Sequence, residues 1–194
     1  MQKIITLFRR IYPFDGAAYV YDEVEPAAAW VQAGEGVATR KWDGTCCMIR
    51  GGKFFKWYSC REGKKLPLDF ELAERKAFQD NKGRDVVKLY GWVPVVEGDP
   101  SSKWHVEAVS WNPLVRMEEG TYELIGPKVQ GNAENQGLHR LVKHGIDQLL
   151  DAPRNFDSIR EYLLCHEIEG IVWHHPDGRM VKIKARDFGI EWPR

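Results

Sequence analysis

The sequence predicts an α+β fold, antiparallel sheets with helices grouped outside them rather than a strictly alternating doubly wound sheet. Three observations predict it. Short runs rich in β-branched and aromatic residues crowd the chain from Val37 onward. Pairs of these runs are joined by turn signals, Gly51-Gly52 and the HPDGRM of residues 175 to 180. Helical spacing shows in only two places, near the first third of the chain and near its end.

Residues 1 to 36 mix short apolar runs with Pro13, Gly16, Pro26 and the Gly34 to Gly36 turn, which predicts small strands and loops forming an edge or cap packed on the core. GVATRKW, GTCCMIR and KFFKWYSC then read as strands, the last two a hairpin across Gly51-Gly52. In KKLPLDFELAERKAFQDNK, residues 64 to 82, Leu68, Leu72, Ala73 and Ala77 stand near helical spacing, with Pro67 in a first turn and Gly83 past the end. This predicts a helix. VVKLYGWVPVV, KWHVEAVSW and TYELIG read as strands, with Pro94 marking an edge or break in the first. NFDSIREYLLCHE predicts a short helix, capped by Asn155 or Asp157, that leads into the strand EGIVWHH; after the turn, MVKIKA returns as its partner. No repeat, low-complexity tract or Pro/Gly/Ser linker divides the chain. The expected organisation is one structural unit, 1–194, with 1–36 as an N-terminal segment packed on 37–194.

At 194 residues the chain is long enough to bury about seven tenths of the surface its unfolded form exposes, without disulfides or metals. Its 28 basic and 28 acidic residues cancel, so net charge draws in neither nucleic acid nor an anionic membrane, and a polyanion must be met locally. The four cysteines form no C-x-x-C repeat and no zinc-type spacing, which predicts reduced thiols and a cytoplasmic location. No stretch approaches the eighteen or more apolar residues of a membrane span, so no export signal or membrane anchor is expected.

The chemistry concentrates at KWDGT, residues 41 to 45. Asp-Gly is a turn signal because glycine accepts positive φ, so Lys41 reads either as a surface cation beside a turn or as a nucleophile. The hairpin 169–184 puts Lys182 and Lys184 two residues apart on one strand, hence on one face, where two ammonium groups suit an anion such as phosphate; spacing alone also allows a solvated face opposite core Val181 and Ile183. A lysine amine attacks only when neutral, and neighbouring cations with partial burial would lower the pKa of Lys41. Glu169, and Glu123 in TYELIG, offer hard oxygen ligands for Mg²⁺.

The order K-x-D-G, a later arginine, a glutamate strand, E-G-[IV]-V and K-x-K resembles the covalent nucleotidyltransferase superfamily of ATP-dependent ligases and capping enzymes. KWDGTCC, GWVPV, ELIGPKVQGN, LHRLVKHG and EGIVWHHPDGRMVKIKARDFGIEWP look like blocks of its vertebrate-type ATP-dependent RNA ligases, which join 5′-phosphate to 3′-hydroxyl ends. The resemblance implies a nucleotidyltransferase (adenylyltransferase) domain. It makes Lys41 the residue that forms a lysyl-AMP, Arg61 a contact to the ribose and substrate ends, Glu123 a ribose contact, Glu169 the carboxylate near metal and reacting phosphate, and Lys182 with Lys184 the phosphate-binding pair. Adenine would stack on His144, with Phe156 or Trp173 as other rings. Cys46 and Cys47 match a family CC; alternation would allow one to line the site and the other the core, and packing is the expected role of both.

One departure stands out: relatives carry glutamate just before the nucleophile, where this chain has Arg40, a charge reversal close to the expected base pocket. With ten residues following Lys184, no OB-fold domain is expected. The expectation is therefore a monomeric RNA ligase using ATP and Mg²⁺, with Mn²⁺ as a substitute, on RNA bearing a 5′-phosphate and a 3′-hydroxyl. RNA would be met by Lys56, Lys64, Lys65, His139, Arg140, Lys143 and Arg186. The alternatives are a DNA ligase, a GTP-dependent capping-type transferase, or a noncatalytic nucleotide- or RNA-binding module.

Overall fold

The computed structural model describes residues 4–14, 16–80, 83–111 and 113–193. In chain order the elements are β1 (Ile5–Thr6), β2 (Phe8–Ile11), β3 (Tyr19–Val24), α1 (Ala29–Gln32), β4 (Val37–Lys41), β5 (Thr45–Arg50), β6 (Lys53–Arg61), β7 (Glu71–Gln79), β8 (Asp85–Pro94), α2 (Lys103–Ser110), β9 (Gly120–Ile125), β10 (Arg140–Lys143), α3 (Phe156–Cys165), β11 (Gly170–His174) and β12 (Met180–Lys184). The architecture is mixed α+β, strand-rich with few helices. Contacts group the chain into two compact units, one taking 44–144 and the other 3–43 with 145–194, so the expected boundary at 36/37 falls inside the second unit. No helix among the described residues is long and apolar enough to cross a membrane.

The first unit is a six-stranded antiparallel sheet in the order β10-β9-β5-β6-β8-β7. Gly51 and Gly52 turn the β5–β6 hairpin with φ of 57° and 68°, the left-handed pair that such a two-residue connection needs. Cys47, Ile49, Phe54, Tyr122 and Leu124 fill the core beneath it, against Ala108 of α2.

Two sequence expectations fail in this unit. The helix expected over 64–82 is, where described, a loop followed by β7; residues 81 and 82 lie outside the described residues. Its apolar spacing buries nothing, since Leu72 is 58% exposed. Pairing with the β-branched, aromatic β8 along 71–79 overrides local helix preference. As the edge strand, β7 carries Glu71, Glu74, Arg75 and Lys76, charges that discourage further pairing. KWHVEAVSW is helix α2 rather than a strand. Its start signal lies upstream: Pro100 occupies a first turn, and Asp99 Oδ1 accepts from Ser101 N at 3.0 Å. From there Trp104, Ala108 and Val109 face the core at helical spacing.

The second unit holds a four-stranded sheet in the order β1-β12-β11-β4, in which β1 runs parallel to β12 and the other pairs are antiparallel, and a separate β2–β3 ribbon. Ile171, Trp173, Val181 and Ile183 form the buried face of this sheet, with Ile159 and Leu163 of α3 also fully buried. Asn155 Oδ1 caps α3 by accepting from Ser158 N at 2.9 Å. Phe8, Phe156 and Phe188 pack edge to face, which brings β2 and α3 together.

Gly170 is fixed by contact rather than by φ. A Cβ there would lie 2.1 Å from the Ile183 carbonyl oxygen, a backbone atom that cannot step aside without opening the β11–β12 ladder. Gly170→Ala is expected to destabilise the protein by about 3 kcal/mol or more, read as a lower midpoint in thermal or urea unfolding. An unchanged midpoint would contradict this register.

Candidate active site

Strand register in the second unit sets Lys41, Gly170 and Lys184 abreast: Gly170 pairs with Lys41 across β4 and with Lys184 across β12. Residues directly opposite in an antiparallel pair project to the same side, so the two lysines flank a position with no side chain of its own. Glu169, one residue before β11, fills the gap. Its Oε2 accepts from Lys41 Nζ at 2.5 Å and its Oε1 from Lys184 Nζ at 2.5 Å, while its side chain is only 4% exposed. One buried carboxylate therefore bridges two ammonium groups. Lys182, opposite Val172 and two residues from Lys184, projects on that same face.

Burial above all pulls the pKa of Lys182 down to about 8, with the charges of Lys184, Lys41 and Arg10 adding to the effect. Lys41 sits in an ion pair with Glu169. Arg10 was not anticipated, nor was Asp187. That buried carboxylate accepts from Arg10 Nη2 at 2.6 Å and from the Lys184 backbone N at 2.9 Å, tying β2 to the end of β12. The only sequence hint was an aspartate three residues past a strand end. Trp192 Nε1 donates to Asp43 Oδ2 at 2.9 Å, anchoring the turn aspartate to the C-terminal segment. Arg40 alternates to the other face, its guanidinium 3.9 Å above the Trp42 ring, so its charge does not join the lysine face.

Cys46, Cys47, Arg61, Glu123 and His144 lie in the first unit. Cys46 and Glu123 are direct partners on β5 and β9, and their side chains share the face away from the core that Cys47 enters. His144 follows β10; its Nε2 lies 2.8 Å from Glu123 Oε2 and its Nδ1 2.9 Å from Thr121 Oγ1. Gly44 N donates to Glu123 Oε1 at 3.2 Å. The glycine of K-x-D-G is needed for this approach and not for a left-handed turn: a Cβ at Gly44 would lie 2.1 Å from Leu124 O. Arg61 ends β6, exposed, opposite Lys88.

The alternative adenine rings make packing contacts of their own. Trp173 is fully buried and Phe156 is spent on the phenylalanine cluster. Two of the proposed RNA contacts also point inward. Lys56 is 8% exposed and donates to Asp99 Oδ2 at 3.0 Å, Ser101 Oγ at 2.5 Å and Ser102 Oγ at 2.9 Å. His139 is 3% exposed, stacked on Trp104 and bonded to Glu107. Both follow from α2: the helix that replaces the expected strand covers this side of the sheet. Lys143 pairs with Glu118, Arg186 donates to the Trp192 carbonyl at 2.7 Å, and Arg140 donates to Gln136 Oε1 at 2.9 Å. Lys64 and Lys65 are exposed.

As a Mg²⁺ ligand, Glu169 has the right donor type, a hard carboxylate oxygen, and its single carboxylate suits an ion that takes its other ligands from phosphates and water. Glu123 has different company: Cys46, Glu123 and His144 bring sulfur, oxygen and nitrogen donors within 4.8 Å of one another.

Residues 107–194 match the family model described as RNA ligase 1. RNA ligase 1 of Mus musculus is 27% identical over 81% of this chain and 68% of its own length. RNA ligase 1 of Danio rerio is 28% identical over 89% of this chain and 73% of its own length. RNA ligase 1 of Pongo abelii is 31% identical over 53% of this chain and 41% of its own length. The chain is a relative of the vertebrate RNA ligase 1 proteins.

Proposed function

We propose that the chain is an ATP-dependent RNA ligase with a nucleotidyltransferase fold, acting in the cytoplasm as a monomer. The observation that carries the proposal is Glu169 holding Lys41 and Lys184 at 2.5 Å each, with Lys182 on the same face. In the first step Lys41 Nζ attacks the α-phosphorus of ATP; a P–N bond forms, the bond to the bridging oxygen breaks, and pyrophosphate leaves. Attack requires a neutral amine, and Glu169 Oε2, already bonded to Nζ, is where the proton goes. Lys182 and Lys184 hold phosphate oxygens as their charge develops. Mg²⁺ or Mn²⁺, held by Glu169 with the phosphates, would neutralise part of that charge. AMP then passes to an RNA 5′-phosphate, and an RNA 3′-hydroxyl displaces it to make the phosphodiester. The assignment of Arg61, Glu123 and His144 to the nucleoside, and of Glu123 to metal, rests on the resemblance.

The test is incubation with ATP, Mg²⁺ and a single-stranded RNA carrying a 5′-phosphate and a 3′-hydroxyl. Circular or joined RNA is expected with ATP. Joining of DNA alone, or attachment of GMP in place of AMP, would replace this reading with a DNA ligase or a capping-type transferase. No covalent nucleotide at all would leave the binding module.

Lys182 gives the proposal a pH signature. Below about 8 it is charged and holds phosphate; as pH rises through that value it becomes neutral and the contact weakens. Metal-free ATP is expected to bind about tenfold more weakly at pH 9 than at pH 7.5, the worth of one charged hydrogen bond. Lys182→Arg, which stays charged, should flatten the profile. An equal fall in both proteins would contradict the role of Lys182.

A further inference from the structure

We propose that Cys46, Glu123 and His144 form a binding site for a zinc-class divalent ion. The site arises from strand register. Glu123 on β9 faces Cys46 on β5, and Thr121, two residues earlier, shares that face and lies beside His144 at the end of β10. The thiol, carboxylate and imidazole donors lie within 4.8 Å of one another, and all three side chains are partly exposed, so an ion can enter and water can take a fourth position. Around tetrahedral Zn²⁺ such donors stand about 3.3 to 3.6 Å apart, so the 2.8 Å contact between His144 Nε2 and Glu123 Oε2 needs to open by only about half an ångström.

Two outer contacts are already in place. Thr121 Oγ1 lies 2.9 Å from His144 Nδ1 and orients the ring, and Gly44 N donates to Glu123 Oε1 at 3.2 Å and orients the carboxylate. Supporting bonds of this kind fix the tautomer and aim of metal ligands. The mixed sulfur, nitrogen and oxygen set selects Zn²⁺ or Co²⁺ over Mg²⁺, which takes oxygen ligands. The site uses the first unit alone and shares Glu123 and His144 with the nucleoside assignment, so ion and nucleoside compete for these two side chains.

The experiment is titration of the whole chain, free of metal, with Co²⁺ as a coloured substitute for Zn²⁺. The expected result is a near-ultraviolet thiolate-to-cobalt band with visible bands of tetrahedral intensity, displaced by stoichiometric Zn²⁺ and unmoved by millimolar Mg²⁺. Cys46→Ser should abolish the ultraviolet band. Thr121→Val keeps all three ligands and should weaken Zn²⁺ binding about tenfold. Persistence of the band in Cys46→Ser, or Co²⁺ binding without a thiolate band in the wild type, would overturn the proposal. RNA joining is assayed separately, with Mg²⁺ and no Co²⁺ or Zn²⁺: colour without joining there would leave this site standing and remove the ligase reading, and joining without colour would do the reverse.

Discussion

Lys41→Arg is expected to take up no AMP from α-labelled ATP and Mg²⁺, a loss of about a thousandfold or more, while remaining folded. Arginine keeps the positive charge and can still pair with Glu169, so the cation-lined face and the second unit's packing persist. What it cannot do is give up its proton, and a guanidinium offers no lone pair to phosphorus. The substitution therefore separates charge from nucleophilicity, which alanine does not. An unfolding midpoint close to wild type would accompany the loss. Label retained by the arginine variant would remove Lys41 as the attacking group, whatever else the chain binds.

Glu169→Gln is expected to cost both activity and stability. The carboxylate bridges Lys41 and Lys184 and has Lys182 nearby, so a neutral amide of the same shape leaves three clustered cations without their shared anion. Removing one partner of a buried ion pair typically costs 3–5 kcal/mol; the lower end applies because both lysines keep some exposure, so about 3 kcal/mol is expected, a fall of about 6–12 °C in Tm. Repulsion among like charges is screened by salt, so added NaCl should recover part of the lost stability in the variant. Adenylylation should fall about a hundredfold or more, because the proton on Lys41 loses its acceptor. A variant with wild-type Tm at low salt would show that the lysines do not depend on this carboxylate.

What the sequence made legible follows the range of the interactions involved. The Gly51-Gly52 hairpin, the Asn155 cap and the 169–184 hairpin are local, decided within a few residues, and each forms where its residues indicated. Lys182 and Lys184 share a face because strands alternate, and the same rule separates Cys46 from Cys47. The failures depend on partners far along the chain. Residues 71–79 carry a helical pattern, yet β8 claims them as a strand. The start of α2 was written in Asp99 and Pro100, outside the run that looked like a strand, and missing it turned Lys56 and His139 from inward groups into surface ones. Arg10 and Asp187 could not be paired by pattern, because 177 positions separate them and the N-terminal strands carry no motif. Glycines 44 and 170 read as turn or motif residues, whereas each is held by a carbonyl oxygen 2.1 Å from where a Cβ would stand.

The most direct measurement is peptide mapping by mass spectrometry of the whole chain after incubation with ATP and Mg²⁺. AMP on Lys41 Nζ is expected, through an acid-labile P–N bond that is cleared when RNA with a 5′-phosphate and a 3′-hydroxyl is added. RNA joined while AMP sits on another residue, or on none, would contradict it.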